Sequence, residues 1–374
     1  MKIIILKENL KNGLNIIERT IGKRLTLPIL SNVLLKAEKN FLILSSTNLE
    51  IASIYWILTK IEKEGTITIP LKAFLDYISF LPNNKIILEK TNNSLIIQSG
   101  SYKAKIKGEK SEEFPILPKI ETEDFIEMNC NSFCQGISQV VDFTTLSQTR
   151  PELSGVYFNF QKNLLKIAAT DSFRLAEKTI FLETSLDKEY SFILPQITSK
   201  EIINLFSEKK ESLKIFLSPN QILFEVPMVE TSHPQLRFIS RLIEGEYPGY
   251  QEIIPKKWET KLILPREEFL NQIRISGLFS GRINEVKMKV FPKEGKIEIF
   301  SQNPELGENK SELFGKIEGK EVEVSFNFKF ILEGLTHIKT KEVVFELNGL
   351  EGPAILKPLG DESYLYVVMP IKAS

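Results

Sequence analysis

A short alternating strand followed at once by an amphipathic helix occurs six times along this chain. The helices begin near residues 7, 70, 131, 195, 265 and 327, in steps of 63, 61, 64, 70 and 62. Near-equal spacing of a supersecondary unit marks an internal repeat, because such a unit cannot bury its apolar face alone and must pack against its copies. The helical period is clear in the first two copies. Leu10, Leu14, Ile17 and Ile21 share one stripe, as do Leu71, Phe74, Leu75 and Ile78. Pro70 stands at a helix start, where a missing N–H costs nothing. Between helices the chain reads as strand and turn, with a hairpin of residues 94–98 and 102–106 about Ser99-Gly100.

The six half-units pair into three larger ones, giving an α+β chain of three repeated domains over residues 1–120, 121–250 and 251–374. Asn48, Asp171 and Asn303 recur at intervals of 123 and 132, each after a strand and each in a turn where an Asn or Asp side chain can bond nearby backbone. The stretches 107–124 and 246–261 are charged, proline-bearing and weakly periodic, and read as the joints.

Composition excludes several functions. Lys+Arg and Asp+Glu are both 48, so the chain is not a wholly basic nucleic-acid coat, although a local basic face is allowed. No apolar run approaches the roughly eighteen residues of a membrane helix, and the first residues carry no signal-peptide core, so a cytoplasmic location is expected. The two cysteines, Cys130 and Cys134, have no accompanying ligand cluster and read as plain thiols. No phosphate-binding loop, dinucleotide fingerprint, nucleophile elbow or HExxH is present. His233 and His337 have no recognisable partner nearby and read as structural. Sequence order leaves a dispersed Ser/His/Asp triad open, but the chain gives little support for catalysis, so the expectation is no enzyme, no cofactor and no metal. What remains is surface: Lys7, Lys11 and Asn15 on the first helix, with Lys72, Lys200, Arg274 and Lys329 on others, present a polar face that can be simply solvated or can meet a phosphate backbone.

Four motifs carry a resemblance over the whole length. Residues 22–32 (GKRLTLPILSN), 169–176 (ATDSFRLA), 247–250 (YPGY) and 366–371 (YVVMPI) resemble, in order and spacing, those of the bacterial DNA polymerase III beta subunit family of sliding clamps. The resemblance implies the DNA-clamp fold, with two helices per domain packed on antiparallel sheets. It also implies a head-to-tail homodimeric ring around duplex DNA, and processivity by tethering a polymerase rather than by catalysis. Replicative polymerase subunits, an ATP-driven clamp loader and other clamp-motif peptides are the implied partners. Their peptide pocket would use Leu153, Thr170, Phe173, Arg174, Leu175, Pro248, Ile253, Leu350, Met369, Pro370 and Ile371. Arg24, Lys72, Arg150 and Lys200 would face DNA, and Ala104 and Ile106 would meet Leu278 and Phe279 across the dimer seam. The chain departs from the family pattern at Phe173, Glu252, Gln196-Ile197 and Asn284-Glu285, which implies a changed pocket rim and changed DNA contacts. The Arg-Leu pair follows only the central copy of the repeated turn, so one pocket per subunit is expected.

Overall fold

A computed structural model describes residues 1–21, 27–120, 122–145, 147 and 149–372. Six helices follow directly on strands, as the repeat predicts: α1 (Lys7–Glu18), α2 (Leu71–Phe80), α3 (Cys130–Ser138), α4 (Gln196–Phe206), α5 (Arg266–Leu278) and α6 (Phe328–His337). The third is shorter than its periodicity suggests, because the chain leaves the helix after Ser138 and tightens into a 3-10 turn at Val141–Phe143. Pro70 and Pro265 sit at the N-cap of α2 and α5, with φ of −57° and −65°. At α3 and α6 a side chain completes the start: Asn129 accepts the Ser132 N–H at 3.0 Å and Asn327 the Lys329 N–H at 3.1 Å. Among the described residues no helix is long and apolar enough to cross a membrane.

The chain divides into two compact units, residues 1–134 with 200–242, and 135–199 with 243–374. In the first, the five-stranded sheet has Tyr102–Lys107 at one edge. The eight-stranded sheet contains both Ile51–Leu58 and Pro234–Arg241, joined antiparallel with Ser240 opposite Ile51 and Ile239 opposite Ala52. In the second unit a nine-stranded sheet joins Arg174–Phe181 to Tyr364–Val368, with Arg174 opposite Val368 and Leu175 opposite Val367. A four-stranded sheet there has Gly307–Phe314 at its edge.

These pairings explain why compactness does not follow the three-part division of the sequence. Backbone hydrogen bonding runs straight past the joints at 107–124 and 246–261, so neither joint is a break in packing. The helices lie close on the sheets. A Cβ at Gly13 would stand 2.9 Å from Ile57, Leu44 and Tyr55, and one at Gly136 would stand 2.7 Å from Ile180. The apolar stripe of α1 is buried as expected at Leu10, Leu14 and Ile17, but Ile21 lies beyond the end of the helix at Glu18 and is half-buried.

One expectation for α1 changes. Lys7 does not stand free for a phosphate. Its ammonium donates to the carbonyl oxygens of Ser79 (3.1 Å) and Leu81, satisfying carbonyls at the C-terminus of α2 where the helix dipole favours a cation. Cys130 and Cys134 are buried, and burial raises both thiols to about 12, which keeps them protonated and inert. His337 packs against Phe143 and lies 3.8 Å from Asp142, a satisfied structural histidine.

Candidate functional site

The turn that recurs in sequence recurs in space. The Asp171 carboxylate accepts the N–H groups of Phe173 and Arg174 at 2.9 and 3.0 Å. Asn48 accepts those of Glu50 and Ile51 at 3.0 and 2.8 Å, and Asn303 those of Glu305 and Leu306 at 2.9 and 3.3 Å. In the first two copies a threonine completes the turn. Thr47 donates to the Ile51 carbonyl and accepts from the Leu49 N–H, as Thr170 does with Arg174 and Ser172. The residue between is forced to the left-handed region, φ 77° at both Leu49 and Ser172. A short polar side chain at the corner is what lets a non-glycine residue hold that angle.

The central copy opens one wall of a cleft of about 470 Å³. Thr170, Phe173, Arg174, Leu175, Ile253 and Met369 line it, so six of the sequence-derived residues converge. Ser172, Glu252, Pro353 and Val367 complete the lining. The other expected residues lie around it. Leu153 is in the buried cluster beneath, with Leu175, Tyr247 and Val367. Pro248 is half-buried in the joint and accepts the Tyr250 N–H at 2.6 Å. Leu350 is 63% exposed and stands outside the lining, where the same loop presents Pro353 instead. Pro370 is buried, and the Ile371 N–H donates to Ser325 at 2.8 Å, which carries the chain away from the cleft.

Arg174 is the structural centre of this wall. Its Nε donates to Asp171 Oδ2 at 3.0 Å, and its other end pairs with Glu333 on α6. The guanidinium lies 4.6 Å from the Phe330 ring centroid and 5.2 Å from that of Phe143. Burial opposes its charge, but Tyr366, Glu333 and Asp171 outweigh that and hold its pKa above the ordinary value. Tyr366 is pushed well up by burial, so it stays neutral and donates to the Phe330 carbonyl at 2.8 Å. The Met369 N–H donates to the Phe173 carbonyl at 2.9 Å, which closes the corner between turn and terminal strand. The exposed surface is thus apolar, supplied by Phe173 (62% exposed), Ile253 (50% exposed) and Met369, over a rigid polar frame. Such a surface can take apolar side chains of an extended ligand. Methionine adapts to their shape, and the frame loses little entropy on binding.

Phe143, Phe330 and Glu333 were not legible as part of the site. No local pattern signals them, since they reach Arg174 only through the tertiary fold. Of the cations expected to face DNA, Arg24 lies outside the described residues. Lys72 on α2 and Lys200 on α4 are exposed. Arg150 lies at the cleft turn, donating to Glu152 and to Ser172 at 3.2 Å each. Ala104 and Ile106 are half-buried on the edge strand Tyr102–Lys107. Leu278 is 69% exposed at the end of α5, and Phe279, which follows it, is half-buried.

Sequence models of three domains of one protein family match along the chain. The N-terminal domain of the DNA polymerase III beta subunit matches residues 1–118, the central domain 127–249 and the C-terminal domain 251–372. A Staphylococcus aureus protein named beta sliding clamp is 31% identical, with 100% of this chain and 99% of its own length covered. Its counterpart in Staphylococcus epidermidis is 30% identical over the same shares. Among solved structures, the DNA polymerase sliding clamp of Bacillus subtilis matches with a TM-score of 0.94 at 28% identity, covering 100% of both chains.

Proposed function

The chain belongs to the DNA polymerase III beta subunit family, and from that premise we propose that it is a sliding clamp, a non-enzymatic processivity factor closed as a homodimeric ring around duplex DNA. The observation that carries this is the match of all three domain models, in order, over almost the whole chain. Encirclement makes retention topological, so affinity need not come from many contacts. A few cations then suffice to offset phosphate repulsion while the ring slides. In this reading the exposed Lys72 and Lys200, together with Arg24 and Arg150, face the duplex. The domains run over residues 1–120, 121–250 and 251–374, and the family models support those limits. Work on DNA supports a cytoplasmic location for the protein.

The cleft at Arg174 is the docking site for the replicative polymerase, the ATP-driven loader and other partners carrying short apolar motifs. Its exposed Phe173, Ile253 and Met369 over a fixed frame support that role. For the dimer seam, Ala104 and Ile106 meet Leu278 and Phe279 of a second copy. The two sheet edges nearby have complementary charge. Tyr102–Lys107 carries Lys103, Lys105 and Lys107, and Gly307–Phe314 carries Glu308 and Glu312 against one lysine, Lys310. The test is retention on nicked circular DNA after loading. Cutting the circle should release the protein, and equal retention on linear and circular DNA would refute encirclement.

A further inference from the structure

Against the expectation of one pocket, the first compact unit holds a second cleft, of about 560 Å³, built on the Asn48 copy of the turn. Thr47, Leu49, Ile51, Ala52, Ile239 and Arg241 line it where Thr170, Ser172, Arg174, Leu175, Val367 and Met369 line the first. The correspondence extends to the backbone. The Arg241 N–H donates to the Glu50 carbonyl at 3.0 Å, as Met369 does to Phe173 at 2.9 Å. Both strands pair in the same register relative to their turns.

The side chains differ in a directed way. Ile51 replaces Arg174, so no ion pair occupies the corner. Ala52 replaces Leu175, which shortens one floor residue. The apolar rim is open: Ile116 is 96% exposed and Leu49 is 44% exposed. The charged lining is Lys119 and Arg241 against Glu50, so cations outnumber the carboxylate, whereas the first cleft carries Glu252 at its rim and an Arg174 already neutralised by two carboxylates.

We propose that this second cleft binds an extended acidic peptide, which seats one apolar side chain against the exposed Leu49 and Ile116 and sets a carboxylate against Lys119 and Arg241. The assignment rests on reading the first cleft as a peptide site, because the shared construction is what suggests a shared kind of ligand. Charge then separates the ligands: the first cleft takes apolar motifs without a strong charge requirement, the second prefers aspartate or glutamate beside the anchor.

The probe is a fluorescent, end-blocked hexapeptide made only of leucine, phenylalanine and aspartate, titrated against the full-length protein by calorimetry and anisotropy. Two peptides per chain are expected. Ile116→Glu and Arg241→Glu alter exposed side chains, so the fold survives. Each should weaken the second event by about fivefold or more, and together they should leave one peptide per chain. Rising salt should weaken the second event more than the first. Phe173→Ala with Met369→Ala should remove the other event. A single event in the parent protein that Arg241→Glu leaves unchanged overturns the proposal. Persistence of both events in the Phe173/Met369 variant would instead overturn the reading of the first cleft.

Discussion

The corners at residues 170–175 and 47–52 share a turn, a threonine bracket, a left-handed residue and a strand register, yet they are stabilised by different physics. At Arg174 the corner is locked by a cation held between two carboxylates and two aromatic faces. At Ile51 an apolar side chain, only 5% exposed, takes the same place. The repeat conserves backbone geometry, which depends on short polar residues at the corner, and leaves the lining free to diverge. A duplicated scaffold can therefore present two recognition surfaces without altering its hydrogen-bond ladder.

The comparison can be broken most sharply at the cation. Arg174→Ala removes a mostly buried group with two ionic partners and two ring contacts, and should cost about 3 kcal/mol in denaturant unfolding. Apolar-motif peptides should lose more than about tenfold in affinity at the first cleft, since its wall loses its frame. No change in either measurement would mean the frame is ornamental. The turn residues come next. Asn48→Ala should cost about 1 kcal/mol, the loss of two side-chain to backbone bonds. Asp171→Ala should cost about 2 kcal/mol, because Arg174 also loses a partner. Equal costs would show that the ion pair adds nothing to the turn. Phe173→Ala, on an exposed ring, should leave the unfolding midpoint in place and weaken apolar-motif binding about fivefold, or about 1 kcal/mol.

The smallest effect is a pH dependence. Burial lowers the His337 pKa below the usual histidine value, so the folded state holds it neutral beside Phe143. The unfolded chain binds that proton more readily, so this contribution is full above the unfolded histidine pKa and is lost as pH falls through the folded one. Thermal midpoints should fall on acidification below neutrality, and His337→Phe should flatten that slope. An unchanged slope would place the sensitivity elsewhere.

Much of this was legible in the chain itself, for stated reasons. Strand-helix alternation is a local periodic signal, and it located all six helices. The Asx corner needs only residues adjacent in sequence, so Asn48, Asp171 and Asn303 could be read as one feature. Contacts that cross the fold were not legible. Glu333 reaches Arg174 across 159 positions, and Lys7 reaches Leu81 across 74. The second cleft was not legible because the Arg-Leu pair belongs to one copy alone, whereas the cleft's shape comes from backbone common to both copies.

The strand pairings at the joints have a mechanical consequence. Five residue pairs tie Ile51–Leu58 to Pro234–Arg241, and five tie Arg174–Phe181 to Tyr364–Val368. Each is a weld loaded in shear rather than a hinge, since several hydrogen bonds must yield together before either strand slips. A tensile load along the backbone would therefore meet stiff elements at both joints. Elastic compliance must be sought in parts of the molecule that no such ladder crosses.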